Sequence, residues 1–294
     1  MDSSIFAVLL PLALALVMFG LGLTLTRADF ARVVQYPKAA LLALACQIVL
    51  LPAICLGLVY AFGLDGALAV GMMLLVASPG GTSANLFSHV AGGDVALNVT
   101  LTAINSVLAV FTMPIVVTLA IAEFLGSDSS IGLQPAKFVQ VVAIVLVPVA
   151  LGMWARHRFP RWAERMRKPV KLGSIVVLIL VIAAAAISEF DTLLDNFGRL
   201  GGIALLLSVL SLLIGFAVPR LFRVDTRQAI ASAMEIGIHN ATLAIAVAVS
   251  VLENETMAIP GAMYGILMFG PAALAAYLFA RQSNTTAVAP SPAV

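Results

Sequence analysis

The residues of this sequence best placed to do chemistry are Glu235, His239 and Asn240. They flank Gly237 in the middle of an apolar segment running from about Ala229 to Leu252. That segment can cross a bilayer, which takes about 20 apolar residues. A carboxylate at bilayer mid-depth costs about 2.5–3.5 kcal/mol on insertion scales. Such a group persists where it faces protein, water or an ion, so Glu235 marks a functional site. The other deep polar side chains are Gln47, Asn85, Asn98, Thr102, Asn105 and Ser106. Asn98, Thr102 and Asn105 recur at i, i+4 and i+7 and share one helix face. Asn105 and Ser106 read as interhelical hydrogen-bonding groups, worth about 0.6 kcal/mol each on average. One carboxylate, amide oxygens, hydroxyls and unwound backbone carbonyls form a low-charge oxygen cage suited to sodium. The set has too few carboxylates for calcium, and it lacks the thiolates and paired histidines that zinc uses. Proton occupancy of Glu235 is the alternative to a cation.

These side chains need elements to hold them. The chain has 294 residues, 62% hydrophobic and 10% charged, with a mean hydropathy of +1.11. Soluble domains carry about 25% charged residues, so this is an all-α polytopic membrane protein. Nine apolar segments can span, at about 4–24, 39–61, 67–91, 96–121, 138–155, 172–189, 200–218, 229–251 and 257–280. Helices are expected for all of them, because lipid cannot satisfy open backbone groups. The first segment lacks a basic flank, which argues for a spanning helix over a cleaved signal peptide. With nine spans, 14 of the 16 Lys and Arg fall on one side, leaving only Lys137 and Arg199 on the other. Basic loops stay cytoplasmic. The expectation is a cell (inner) membrane protein with its N-terminus outside and C-terminus inside. Trp154 and Trp162 around the basic 156–171 loop read as an interfacial anchor. Residues 282–294 read as a disordered cytoplasmic tail. Cys46 and Cys55 lie nine positions apart on one presumed helix, cannot pair there, and read as small apolar residues.

Segments three and eight are interrupted. Ser78-Pro79-Gly80-Gly81-Thr82-Ser83-Ala84-Asn85 breaks the first, and Glu235 to Asn240 breaks the second. Proline and paired glycines end a helix, and Thr, Ser and Asn suit a restart. Two broken segments running in opposite directions, one in each half, point to a transporter of inverted repeats with two discontinuous helices crossing at mid-membrane. Restarting helices aim free N–H groups and positive dipole ends at the crossing, which suits an anion near Thr82, Ser83 and Asn240.

Several spaced motifs carry a resemblance. Met18-Phe19-Gly20-Leu21-Gly22-Leu23-Thr24, the 78–85 break, Gly93-Asp94-Val95-Ala96-Leu97 with Thr100-Leu101-Thr102, and Glu235-Ile236-Gly237-Ile238-His239-Asn240 resemble the bile acid:sodium symporter family over nearly the whole chain. Bacterial relatives often have ten helices; this chain resembles the nine-helix arrangement. The resemblance implies a panel domain, about 1–34 and 137–190, moving against a core, about 38–126 and 197–281. It also implies two sodium sites behind the crossing. The first would use Ala84, Asn85, Asn98, Thr102 and Glu235. The second would use Gln47, Glu235, the carbonyls of Ile236 and Ile238, and position 239. Substrate would lie in front, near Thr82, Ser83 and Asn240. Ala84 and Asn98 replace common serines, and His239 replaces the usual glutamine. Histidine offers nitrogen, a poor sodium ligand, and can carry a proton near neutral pH. The departure argues for coupling to one sodium, or to one sodium plus a proton.

The function expected is sodium-coupled symport of an organic anion, bile-acid-like or a smaller carboxylate or sulfonate, by alternating access. Proton-coupled or facilitative efflux of a similar anion is the competing transport reading. The partners expected are the small-molecule anion and the lipid bilayer; no nucleic acid is expected, and a monomer would suffice. An enzyme is not expected. Aspartyl chemistry needs a second acid, and no Gly-x-Ser-x-Gly elbow or His-x-x-x-His zinc motif occurs.

Overall fold

The computed structural model describes residues 15–16, 18–126, 135–170, 172–173, 176 and 190–286. The element order begins with helix α1 (18–24), followed by α2 (Arg27–Ala31), α3 (Pro37–Ala45), α4 (Leu51–Ala61), α5 (Gly66–Ala77), α6 (Thr82–Val90) and α7 (Val95–Phe124). After these come α8 (Pro135–Arg158) and α9 (160–170). The last are α10 (Phe190–Leu221), α11 (Thr226–Gly237), α12 (Ala241–Ser250), α13 (Ile259–Leu267) and α14 (Phe269–Thr286). Most of the sixth predicted segment, 172–189, and the start of the first lie outside the described residues.

Four stretches among the described residues are long and apolar enough to cross a membrane: Pro37–Ala61, Val95–Phe124, Leu194–Leu221 and Thr256–Arg281. Several helices start where a side chain accepts from orphan backbone N–H groups. Thr26 and Asp29 form a reciprocal capping box on α2. Asp94 accepts from Leu97 N at 3.1 Å to open α7, and Asp225 accepts from Arg227 N at 2.9 Å to open α11. Asp94 N also donates to Arg227 O at 2.9 Å, tying these two starts together.

Segment two is one rod with a local defect. Between α3 and α4, Cys46–Leu50 form a π-helical turn, in which Leu51 N reaches back to Cys46 O. The cause lies in the sequence. Pro52 has no N–H to give Ile48 O, and its ring crowds that carbonyl. The wider turn accommodates it and brings Gln47 into the interior, 4% exposed.

α5 is apolar on every face and buried from Leu68 to Ala77, as expected of a helix enclosed by others. It packs on α7, while α10 packs along α11. The α10–α11 approach is close: a Cβ on Gly215 would stand 2.8 Å from Ala233 Cα. Leu23, Ala155 and Ala163, from α1, α8 and α9, form a small cluster of their own with Phe19, Met166 and Val170.

Three sequence expectations need correction. Segment nine is not one continuous α-helix: the 3-10 turn Thr256–Ala258 precedes α13, and Met268 separates α13 from α14. The tail does not begin at Gln282, because α14 continues to Thr286; 287–294 lie outside the described residues. The break in segment eight is narrower than Glu235–Asn240. Glu235 and Gly237 remain helical, and only Ile238–Asn240 leave the helix. Packing of α11 on α10 supports its last turn despite the glycine.

Candidate functional site

The two breaks satisfy each other's backbone. A helix end leaves orphan N–H and C=O groups that lipid cannot satisfy. Here Gly81 N donates to Ile238 O at 2.9 Å, and Asn240 N donates to Pro79 O at 2.8 Å. Gly80 and His239 thus form an isolated antiparallel bridge, the one place where the two broken helices pair as strands. Tyr264, on α13, donates its hydroxyl to Gly237 O at 3.0 Å, satisfying a carbonyl released at the end of α11.

Glu235 sits on the last turn of α11 with no exposed surface. Three donors meet its carboxylate: Thr102 Oγ1 at 2.6 Å to Oε2, Asn105 Nδ2 at 3.2 Å to Oε1, and the Gly80 backbone N–H. The first break therefore grips the acid of the second. The glycine at 80 is required by close approach, since a Cβ there would fall on the carboxyl group of Glu235. The single Thr102 hydroxyl proton lies between Glu235 Oε2 and Asn98 O, the latter 3.0 Å from Oγ1, and Asn98 Nδ2 donates to Ala231 O at 2.8 Å. The Asn98–Thr102–Asn105 face of α7 is thus laid against α11.

The amide oxygens are left over. Gln47 Oε1, Asn85 Oδ1, Asn98 Oδ1 and Asn105 Oδ1 are buried without a hydrogen-bond partner among the described residues. An unsatisfied buried acceptor costs about 1–3 kcal/mol, and of these four residues Asn105 bonds the carboxylate through its nitrogen while Asn98 shares Thr102 with it. The amide orientations follow from chemistry. Gln47 nitrogen faces Val76 O at 3.2 Å and Ser78 O at 3.0 Å, and these carbonyls only accept. Reversing the Gln47 amide would set its oxygen against two acceptors.

The sequence-predicted residues divide as follows. Asn98, Thr102 and Glu235 are brought into one network. Asn85 and Ala84 lie on the first turns of α6; Ala84 is fully buried and its N donates to Gly81 O at 2.9 Å. Gln47 does not bond Glu235; it holds the carbonyls at the end of α5. Ile236 lies in the last turn of α11, and Ile238 offers its carbonyl to Gly81. His239 is 1% exposed. Neither of its ring nitrogens has a hydrogen-bond partner among the described residues, and its ring packs on Tyr264 with centroids 5.3 Å apart. Thr82 opens α6 and Ser83 follows it, half-buried. Asn240 Oδ1 caps α12 by accepting from Leu243 N at 3.1 Å.

Sequence reasoning placed Asn105 on the right face but left it out of the site. The i+7 spacing from Asn98 was the signal that could have included it. Ser106, read as an interhelical group, instead donates to Thr102 O of its own helix at 2.6 Å.

Paired helix breaks that enclose a buried carboxylate within a polytopic helical protein are the construction of a secondary transporter. The chain belongs to the sodium bile acid symporter family: the profile described as Sodium Bile acid symporter family matches residues 11–196. That match takes in the first break and α7 and ends before Glu235. Among relatives, a Bacillus subtilis (strain 168) protein named uncharacterized sodium-dependent transporter YocS is 27% identical over 253 residues, 86% of this chain and 77% of its own. The Oryza sativa subsp. japonica protein named probable sodium/metabolite cotransporter BASS2, chloroplastic, is 25% identical, over 92% of this chain and 63% of its own. Human sodium/bile acid cotransporter 4 is 32% identical over 170 residues, 58% of this chain and 39% of its own. The chain thus spans less than two thirds of the rice and human relatives. The family is one of transporters, not enzymes.

Proposed function

We propose that this protein is a sodium-coupled symporter that takes up an organic anion by alternating access. The observation that carries the reading is the Glu235 carboxylate, fully buried where the two breaks pair and joined through Thr102 to Asn98, whose amide oxygen has no hydrogen-bond partner among the described residues. Sodium is the cargo this donor set suits: one negative charge and several neutral oxygens, without the carboxylate count of a calcium site. Asn85, Asn98, Thr102 and Glu235, with a backbone oxygen at Ala84, would hold it. The names of the relatives, sodium-dependent and sodium/bile acid among them, support the same ion.

Thr82, Ser83 and Asn240 stand at the starts of α6 and α12, where N–H groups and dipole ends favour an anion. A bile-acid-like amphipath or a smaller carboxylate or sulfonate is the substrate class. The broken helices form inverted repeats crossing at mid-membrane in a nine-span chain, and the antiparallel Gly80–His239 pairing supports that relation. The panel is about 1–34 and 137–190, and the core is about 38–126 and 197–281. The separate cluster around Leu23, Ala155 and Ala163 supports the panel as its own packing unit. The N-terminus lies outside and the C-terminus in the cytoplasm. His239, whose ring nitrogens have no hydrogen-bond partner among the described residues, favours one sodium, alone or with a proton, over a second sodium at Gln47, Glu235, Ile236, Ile238 and His239. It also keeps proton-coupled or facilitative efflux as the second reading; external sodium stimulating uptake separates the two.

The test is thermal unfolding of purified protein with taurocholate, lactate and a sulfated steroid, each with and without sodium. A ligand at a hundredfold excess over its Kd raises stability by about 2.7 kcal/mol. The expected result is an anion shift that requires sodium and is lost in Glu235→Ala. Retention of the sodium effect in that variant would remove the central claim.

A further inference from the structure

The corner between α8 and α9, residues 156–170, carries Arg156, Arg158, Arg161, Arg165, Arg167 and Lys168 against one carboxylate, Glu164. Two of these cations are spent inside the protein. Arg156 donates to Leu23 O at 2.7 Å, and Arg167 pairs with Glu164 at 2.9 Å. The other four, Arg158, Arg161, Arg165 and Lys168, are exposed. None of them makes an ion pair or a side-chain hydrogen bond among the described residues. Arg158 lies over the Phe159 ring, 5.5 Å from its centroid, a contact that leaves its N–H donors unspent.

The placement of the free cations is ordered. Arg161, Arg165 and Lys168 recur at i, i+4 and i+7 and share one face of α9, within an arc of about 60° at 3.6 residues per turn. Ala163, Met166 and Val170 take the opposite face, in the cluster with Leu23 of α1 and Ala155 of α8. Packing on that side holds the basic face outward. The same stripe then runs into the exposed apolar side chains Leu172 and Val176. On α8, Val147, Leu151 and Trp154 are exposed along one stripe, and Arg158 continues it by a further turn. Trp154 also meets the Phe159 ring edge-on, with centroids 5.9 Å apart. Topology is set by the number of basic residues on one side and needs no such order. Cations that continue along a helix face into apolar surface match a molecule with an anionic head and apolar chains. We propose that the outer face of this corner is a docking site for an anionic phospholipid. The headgroup lies against the four free cations, whose long stems let them reach the phosphate from beside apolar surface, and the acyl chains lie along the two apolar stripes. Bound lipid holds the α1–α8–α9 cluster at the headgroup level of the bilayer.

The test uses the tryptophans. Trp154 and Trp162 are the two in the chain, and they are 59% and 46% exposed, so intrinsic fluorescence reports on this corner alone. The full-length protein is reconstituted in mixed bilayers of phosphatidylcholine and phosphatidylglycerol, with one lipid or the other brominated on its chains. A brominated chain in contact with a tryptophan quenches it. Brominated phosphatidylglycerol is expected to quench with a preference of about fivefold or more over brominated phosphatidylcholine. Arg161→Gln with Arg165→Gln should bring that ratio close to one; Arg158→Gln with Lys168→Gln serves if the first pair does not fold. Arg223→Gln with Arg227→Gln removes the same charge at the α10–α11 turn and should leave the ratio unchanged. Equal quenching by the two lipids in the parent protein would mean that the tryptophans anchor in any bilayer, and overturns the site. So does a preference that survives the α9 substitutions, or one that the 223 and 227 substitutions abolish equally, since the lipid would then answer to net charge and not to this face.

Discussion

Gly80→Ala is the most direct probe of how the two breaks are joined. The added Cβ would occupy the space of the Glu235 carboxyl group, and neither partner can yield easily. Gly80 is pinned by the paired bonds of its neighbours Pro79 and Gly81 to Asn240 and Ile238, and Glu235 lies on a helix packed against α10. The carboxylate must then leave at least part of its donor set of Thr102, Asn105 and the Gly80 N–H. A hydrogen bond to a charged group contributes about 1.5–3 kcal/mol. Losing one or two, with partial relaxation, places the cost at about 3 kcal/mol. If the displaced carboxylate is the cation ligand, the same loss raises the sodium dissociation constant about 100-fold, at 1.4 kcal/mol per decade. The assay is thermal unfolding in detergent across a sodium titration, read beside Gly57→Ala. No atom lies within 4 Å of a Cβ at Gly57, so that control should be neutral or stabilised by up to about 1 kcal/mol. A Gly80→Ala protein with the parent's melting temperature and sodium midpoint would refute the close-approach reasoning.

Other expectations test the surrounding contacts. Thr102→Val removes the 2.6 Å bond to Glu235 and should weaken sodium binding about tenfold or more, measured by the same titration. Tyr264→Phe leaves Gly237 O without its donor; a stability loss of about 1–3 kcal/mol is expected, with sodium-dependent uptake in vesicles retained. Asp94→Ala uncaps α7 and should cost about 1 kcal/mol without moving the sodium midpoint; a shifted midpoint would mean the cap acts on the site itself. His239→Gln should raise the Hill coefficient for sodium in transport. A coefficient near two in both proteins would exclude the one-sodium reading.

Composition and pattern determined much of this protein. Apolar length and sparse charge required spanning helices, because lipid offers no partner to a bare backbone. Pro79, Gly80 and Gly81 required a break in segment three, and the isolated Glu235 identified the second break as its counterpart. The i, i+4, i+7 series from Asn98 told which face of α7 was polar. Tertiary structure alone decided what that face meets. Periodicity gives direction around one helix, not distance to another, so the Thr102 and Asn105 bonds to Glu235, across about 130 residues of chain, could not be read in advance. Nor could the π turn that brings Gln47 inward, although Pro52 is its local cause. The pairing of Gly80 with His239 is the clearest case. Each break leaves its own backbone groups unsatisfied, and only the three-dimensional fold shows that each supplies what the other lacks.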